Sequence, residues 1–201
     1  MQFEALVARI TALPPAPTRR VIAVAGPPAS GKSTLAARLA AAIDGAVALP
    51  MDGFHLDDRL LIADGTRDRK GAPHTFDAAG FVRLIAALQE PADLIFPIFD
   101  RSREMAIAGA GRVPATCDTV VVEGNYLMLN DAPWDALRPH WSLSIALTPP
   151  RDVLHDRLVA RWQQHGKPDA AAWIAGNDMP NVDTVLTRSA PADITLTEAL
   201  P

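Results

Sequence analysis

The stretch VIAVAGPPASGKST, residues 21–34, decides how this chain folds. It opens on a short, continuous apolar run, Val21 to Ala25, and a glycine ends the run. Such a run reads as a strand buried on both faces, as in a parallel sheet. STLAARLAAAI (33–43), rich in alanine and leucine, reads as a helix. Between them GPPASGKST (26–34) fits G-x-x-x-x-G-K-[ST], with Gly26, Gly31, Lys32 and Ser33 on the fixed positions. A strand before and a helix after give the context in which that spacing makes a phosphate-binding loop. The glycines let backbone N–H groups converge on phosphate oxygens, and the helix N-terminus adds partial positive charge. Ala29, Ser30 and Thr34 complete the cradle. Lys32 is expected to reach the β- and γ-phosphates, and the Ser33 hydroxyl to ligate Mg²⁺.

Outward from this loop, the strand signal recurs at AVALPM (46–51), LIFPI (94–98), TVVV (119–122), LSIAL (143–147) and ADITL (192–196). Helical patterns lie at 77–88 and 151–165, and Phe3, Leu6, Val7 and Ile10 give residues 2–12 one buried helical face, broken by LPPAP (13–17). Strands alternating with helices predict an α/β domain with a mainly parallel sheet. Two long polar stretches, 57–75 and 100–117, read as loops, the second with room for a short hairpin. Long loops on a compact domain are often functional.

Open parallel sheets bind ligands beyond the carboxyl ends of their strands, so the residues that follow each apolar run are the site candidates. Asp52 follows the second run, Phe99, Asp100 and Arg101 the third, and Glu123, Gly124 and Asn125 the fourth. Glu123 suits Mg²⁺, directly or through water. Asp52 suits the proton acceptor for an attacking hydroxyl. It equally suits a cap for a helix beginning near His55, and the pattern leaves both open. RDRKGAPHTFD (67–77) carries Arg69, Lys70 and His74, which suit a polar or phosphorylated substrate. The same stretch also reads as a solvated loop with Asp77 capping the next helix. Arg157 and Arg161 share a helix face, where their charge can stabilise a transferring phosphoryl group or merely meet solvent. The remaining histidines lack metal-ligand spacing, and the tryptophans read as packing.

Composition narrows the classes. A formal net charge of −4 argues against a general nucleic-acid binder, and 49% hydrophobic residues allow a sizeable core. The single cysteine, Cys117, forms no internal disulfide, which favours a reducing, cytoplasmic setting. The N-terminus lacks the pattern of a secretory signal, and no apolar stretch approaches the roughly 20 residues of a membrane span. No asparagine is followed by lysine, so the N-K-x-D pattern of a guanine-nucleotide switch is absent. A regulatory ATPase without an acceptor substrate is the rival class, and it needs neither a base at Asp52 nor an acceptor loop.

Taken in order, the phosphate loop, MDGFH (51–55), RKGAPHTFD (69–77), PIFDR (97–101) and VVEGNYL (121–127) resemble the phosphoribulokinase/uridine kinase family over roughly residues 20–197. The bacterial branch labelled fructose transport system kinases is the nearest likeness, and pantothenate kinase a more distant one. The resemblance implies a P-loop NTPase fold: a three-layer α/β/α sandwich with a mainly parallel five-stranded sheet and a helical lid. It implies one domain over 1–201, with 57–75 on the substrate side and 151–181 as the lid region. It also implies an ATP- and Mg²⁺-dependent kinase acting on a hydroxyl of a small metabolite. A sugar such as fructose is the first expectation, and a nucleoside or pantothenate-type alcohol the alternative.

Carried over by position, the resemblance implies that Asp52 is the general base and that Glu123 serves Mg²⁺ and the phosphates. Phe54, His55, Arg69, Lys70, His74, Asp100, Arg101 and Asn125 fall on substrate-side segments, and Arg157 and Arg161 lead into the lid. Asn181, in NDMPN, also matches this branch, without an assigned role. This chain has Gly53–Phe54 where uridine kinases carry an aromatic pair, and Phe99–Asp100–Arg101 where they carry Tyr-Asp-Phe. The expected state is a monomer or homodimer, with no nucleic-acid or membrane partner.

Overall fold

The computed structural model describes residues 2–14, 19–166 and 168–198. Most of the predicted helix breaker at 13–17 and Lys167 of the lid region lie outside them. In chain order the elements are α1 (Phe3–Thr11), β1 (Arg20–Ala25), α2 (Lys32–Ala42), β2 (Val47–Pro50), α3 (Asp58–Ala63) and α4 (Ala78–Ala87). Next come β3 (Leu94–Asp100), β4 (Met105–Val113), β5 (Thr119–Gly124) and β6 (Leu143–Leu147). The chain ends with α5 (Arg151–Gln164), α6 (Ala170–Trp173), a π-helical turn (Ile174–Asp178), α7 (Met179–Arg188) and β7 (Ile194–Leu196).

Five strands form one parallel sheet in the order β2-β5-β1-β6-β7. Alternation along the strands divides the core between the two faces. Val21, Ala23, Val120 and Val122 pack with Phe81, Ile85 and Trp134 on one side. Ile22, Val24, Val121 and Ile145 pack with Leu6, Ile10, Leu35 and Leu39 of α1 and α2 on the other. This is the expected three-layer α/β/α sandwich. A third, smaller cluster of Leu154, Leu158, Ile174, Met179 and Val182 joins α5 to the π-turn and α7, and gives this helical region its own core. No helix among the described residues is long and apolar enough to cross a membrane.

Two local expectations change. LIFPI does not join the parallel sheet: β3 pairs antiparallel with β4 in a separate two-stranded ribbon. An apolar run alone does not say which sheet it enters. Here Pro97 interrupts the ladder, the register shifts between Phe96 and Ile98, and Ile95 stays 51% exposed. The ribbon docks on the ₃₁₀ turn Met51–Phe54, where a Cβ on Gly53 would lie 2.0 Å from the Pro97 carbonyl oxygen. Only glycine allows that approach. Residues 57–75 are not one open loop either. Asp57 caps α3 by accepting from the Arg59 amide, and ₃₁₀ turns follow at Arg67–Arg69 and Pro73–Thr75.

Candidate active site

Register brings the strand ends together. Ala25 pairs with Gly124 on one side and Ala146 on the other, and Pro50 pairs with Glu123. The chain order reverses direction about β1, so a crevice opens beyond these carboxyl ends. The phosphate loop, the Asp52 turn and Glu123 all follow from that edge.

The loop from Gly26 to Gly31 takes two left-handed residues, Gly31 at φ 92° and Ala29 at φ 63°. A non-glycine residue in that region is uncommon and carries local strain, which the surrounding loop over-determines. Ser30 is fully buried, and its hydroxyl has no partner among the described residues. Lys32 opens α2 and lines the crevice; Ser33 hydrogen-bonds the Glu123 carboxylate; Thr34 lies exposed one residue further along the helix. Glu123 is 5% exposed with Oε2 unpaired. Burial raises its carboxyl above the usual range, while the Lys32 ammonium pulls the other way. A buried carboxylate oxygen without a partner, beside a serine hydroxyl and a lysine, fits Mg²⁺ bound by few protein ligands together with phosphate oxygens and water.

Asp52 sits in the ₃₁₀ turn after β2 and caps no helix, since Asp57 holds that role for α3. Its Oδ2 accepts from the Arg101 guanidinium at 2.7 Å, a contact delivered by the ribbon rather than by the main sheet. The two face a cavity of about 460 Å³ that Lys32, His55, Asn125 and Arg161 also line. The His55 ring stacks edge-on against Phe76 (4.0 Å) and Phe99 (4.9 Å), with Nδ1 buried and unpaired. Burial lowers its pKa to about 4, against the opposing pull of Asp52, so the ring is neutral near pH 7. Arg161 reaches the cavity and is held below its usual range by burial, with Arg101 adding repulsion. Arg157 instead turns toward the phosphate loop, donating to the Ala29 carbonyl at 3.4 Å.

Other named residues are placed differently. Phe54 packs on Phe81 at 5.1 Å in the core. Asp100 accepts from Ser102 and Arg103, His74 is exposed, and neither lines the cavity. Lys70 lines it but is already held, donating to Asp58 at 2.7 Å and to the Glu104 carbonyl at 3.0 Å. Arg69 does not line the cavity, and its Nε is buried without a partner among the described residues.

The far wall is built from NDMPN, the stretch that the sequence singled out without assigning it a role. The π-turn at Ile174–Asp178 adds a residue to the helical path and rotates Asn177 and Asp178 inward, a device common at functional sites. Asn177 donates to the Lys70 carbonyl at 2.8 Å, and the Trp162 indole donates to Asp178 at 2.6 Å. Asn181 lines the cavity one turn on. The NDMPN stretch carried this information, but no apolar period marks a π-turn.

No protein-family model matches the chain. An uncharacterized protein of Escherichia coli, YggC, is 36% identical over 184 residues, spanning 88% of this chain and 76% of the relative. A provisionally named uridine kinase of Schizosaccharomyces pombe is 31% identical, over 89% of this chain and 83% of its own. The crystal structure of a provisionally named fructose transport system kinase from Silicibacter sp. TM1040 superposes with a TM-score of 0.93. It is 44% identical and covers 97% of this chain and 98% of that one.

Proposed function

The chain belongs to the phosphoribulokinase/uridine kinase family of P-loop kinases and is a phosphotransferase with an alcohol as acceptor, and from that premise we propose how its residues divide the work. The whole described chain acts as one kinase domain, with 57–75 on the acceptor side and 151–181 as the lid. ATP seats its phosphates on Gly26–Thr34, with Lys32 and Arg161 against the transferring group and Arg157 bracing the loop. Ser33 and Glu123 would hold Mg²⁺, which would supply charge neutralisation for the phosphates.

The acceptor hydroxyl lies at Asp52. Its oxygen attacks the γ-phosphorus, the bond to the β-phosphate oxygen breaks, ADP leaves, and the hydroxyl proton passes to the Asp52 carboxylate. Phosphoryl transfer asks for positioning and charge more than covalent chemistry, and the crevice offers both. The acceptor is a small hydroxylated metabolite, a sugar before a nucleoside or a pantothenate-type alcohol. One observation carries the reading: Lys32, Asp52 and Arg161 face a single cavity at the carboxyl edge of the parallel sheet.

A coupled ADP-release screen with Mg·ATP over sugars, nucleosides and pantothenate tests it. At least one acceptor-dependent rate is expected. Asp52→Asn lowers kcat by about 10²-fold or more, the usual worth of a general base, while ATP binding persists. Full turnover in Asp52→Asn with the true acceptor removes the base assignment.

A further inference from the structure

Asp52 and Arg101 meet at 2.7 Å although they come from different sheets: Asp52 follows β2 of the parallel sheet, and Arg101 follows β3 of the ribbon. Arg101 stands first in the exposed turn 101–104, which closes the ribbon between the paired residues Asp100 and Met105. From within, the Asp100 carboxylate accepts from the Ser102 amide (2.9 Å), the Ser102 hydroxyl (2.6 Å) and the Arg103 amide (3.2 Å). These bonds shape the turn but tie it to nothing outside the ribbon. Glu104 then takes φ 53°, a left-handed conformation uncommon for a residue with a side chain, and it persists only where surrounding contacts maintain it. The Arg101 side chain is 56% exposed, and an exposed ion pair holds little by itself. The geometry at Asp52 therefore depends on whatever fixes the turn.

Lys70 supplies that tie. Its side chain is 6% exposed, and its ammonium donates to the Glu104 carbonyl at 3.0 Å and to the Asp58 carboxylate at 2.7 Å. The same group lies 5.3 Å from the centre of the Phe99 ring, so it is engaged before any ligand arrives. The Lys70 backbone is fixed as well. Its carbonyl accepts from Asn177 of the π-turn at 2.8 Å, and the next carbonyl, of Gly71, accepts from the Tyr126 hydroxyl just beyond β5. Lys70 is thus anchored to the parallel sheet and the π-turn by its backbone and reaches the ribbon turn with its side chain. The Gly53–Pro97 approach holds the ribbon further back along β3 and leaves the turn to Lys70.

Resting on the kinase reading, we propose that Lys70 is a positioning residue: by holding the Glu104 carbonyl it sets the ribbon turn so that Arg101 reaches Asp52 and fixes the direction of the base, without itself binding the acceptor. The route is a chain of contacts, from the π-turn and β5 through the Lys70 backbone, its ammonium, the Glu104 carbonyl and Arg101 to the Asp52 carboxylate. Lys70→Met isolates the ammonium. Methionine keeps an apolar stem beside Phe99, Asp58 retains Arg67 at 2.6 Å, and the carbonyl of the exposed Glu104 turns to water, so no buried group is stranded.

A double-variant cycle in the ADP-release assay decides the matter, with Mg·ATP and whichever of fructose, uridine and pantothenate gives the highest acceptor-dependent rate. Lys70→Met is expected to lower kcat by about 10-fold, as displacement of a reacting group does, while KM for that acceptor stays within about twofold. Arg101→Ala lowers kcat to a similar extent. On the Arg101→Ala background Lys70→Met costs less than about a further twofold, because Lys70 acts through Arg101. A merely structural lysine shows no such coupling. Lys70→Arg keeps a cation with donors for both Asp58 and Glu104 and restores part of kcat. Urea denaturation confirms that each variant is folded. Where Lys70→Met is not, Asn177→Ala loosens the same anchor from the backbone side without lining the cavity, and is held to the same loss of effect on the Arg101→Ala background.

A rise of about 10-fold or more in the acceptor KM of Lys70→Met, with kcat kept, makes Lys70 an acceptor ligand; it overturns the proposal and leaves the kinase reading standing. So do losses that multiply in the double variant, and so does an unchanged kcat in Lys70→Met or in Arg101→Ala. Acceptor-independent ADP release alone, across sugars, nucleosides and pantothenate, removes the kinase reading, and the proposal falls with it.

Discussion

The two ends of the parallel sheet treat buried polar groups in opposite ways. At the amino end, Arg19 is 2% exposed and has no carboxylate partner among the described residues. Its guanidinium donates to the carbonyls of Cys117, Leu88, Glu90, Ala92 and Pro114. That uses the full donor set of the group and ties the end of α4 and the entry to β5 beneath β1. At the carboxyl end, Ser30 Oγ, Glu123 Oε2, Asn125 Oδ1 and Asn181 Oδ1 are buried without partners among the described residues. The first arrangement is spent on the fold. The second leaves polar atoms that a ligand can meet.

The strongest test of the contrast is Arg19→Met. It strands several carbonyls away from water at about 1–3 kcal/mol for each that stays unpaired, and an overall loss of roughly 4 kcal/mol is expected in urea denaturation. Turnover per folded molecule stays at the wild-type level. A loss below about 1 kcal/mol breaks the contrast from the structural side.

Glu123→Gln is the counterpart at the other end. Burial disfavours the Glu123 charge, so removing that charge leaves the free protein within about 1 kcal/mol of the parent, or above it. Turnover falls by about 10²-fold, roughly 2.7 kcal/mol of barrier, and Mg²⁺ no longer raises the melting temperature in the presence of ADP. A variant as unstable as Arg19→Met makes Glu123 a structural group.

Gly53→Ala joins the two ends of the argument, since it is a packing change that reaches the site. Its Cβ would meet the Pro97 carbonyl, so the ribbon must lift from the Asp52 turn. A cost of about 1–3 kcal/mol is expected, as for overpacking elsewhere, with a fall in kcat as Arg101 and Asp52 separate. Stability and activity that both survive mean the ribbon is not held at this point.

How much of this was legible follows the same division. VIAVA and GPPASGKST specify backbone chemistry with fixed residues, so strand, loop and helix were readable together. Asp52 and Glu123 were named because strand ends in a parallel sheet share one edge, and the register brings both to that edge. Arg101 was named as the end of a strand of the main sheet, but it reaches Asp52 from the ribbon, because pairing partners are set by tertiary contacts that the apolar run LIFPI does not encode. Phe54 read as a site residue from its position beside Asp52, yet the ₃₁₀ turn points it into the core. The NDMPN stretch was noticed but its role was not legible, because a π-turn displaces side chains by one residue without changing composition.

His55 gives the smallest effect and joins the comparison through pH. Its ring is packed between Phe76 and Phe99, and burial lowers its pKa to about 4 from an ordinary 6.5. Asp52 opposes the shift, while Lys70 and Arg101 reinforce it. Below pH 6.5 the unfolded chain binds a proton at this position and the folded chain does not, until the pH nears 4. The stability His55 contributes is therefore intact above pH 6.5 and falls with pH through that window, by about 2 kcal/mol between pH 7 and 4.5. His55→Gln keeps a polar group of similar size and removes the titration. Urea midpoints for the two proteins should run parallel above pH 7 and converge or cross below pH 6, after the common acid loss from carboxylates is subtracted. Parallel curves down to pH 4.5 place the ring in water, and with it this wall of the cavity.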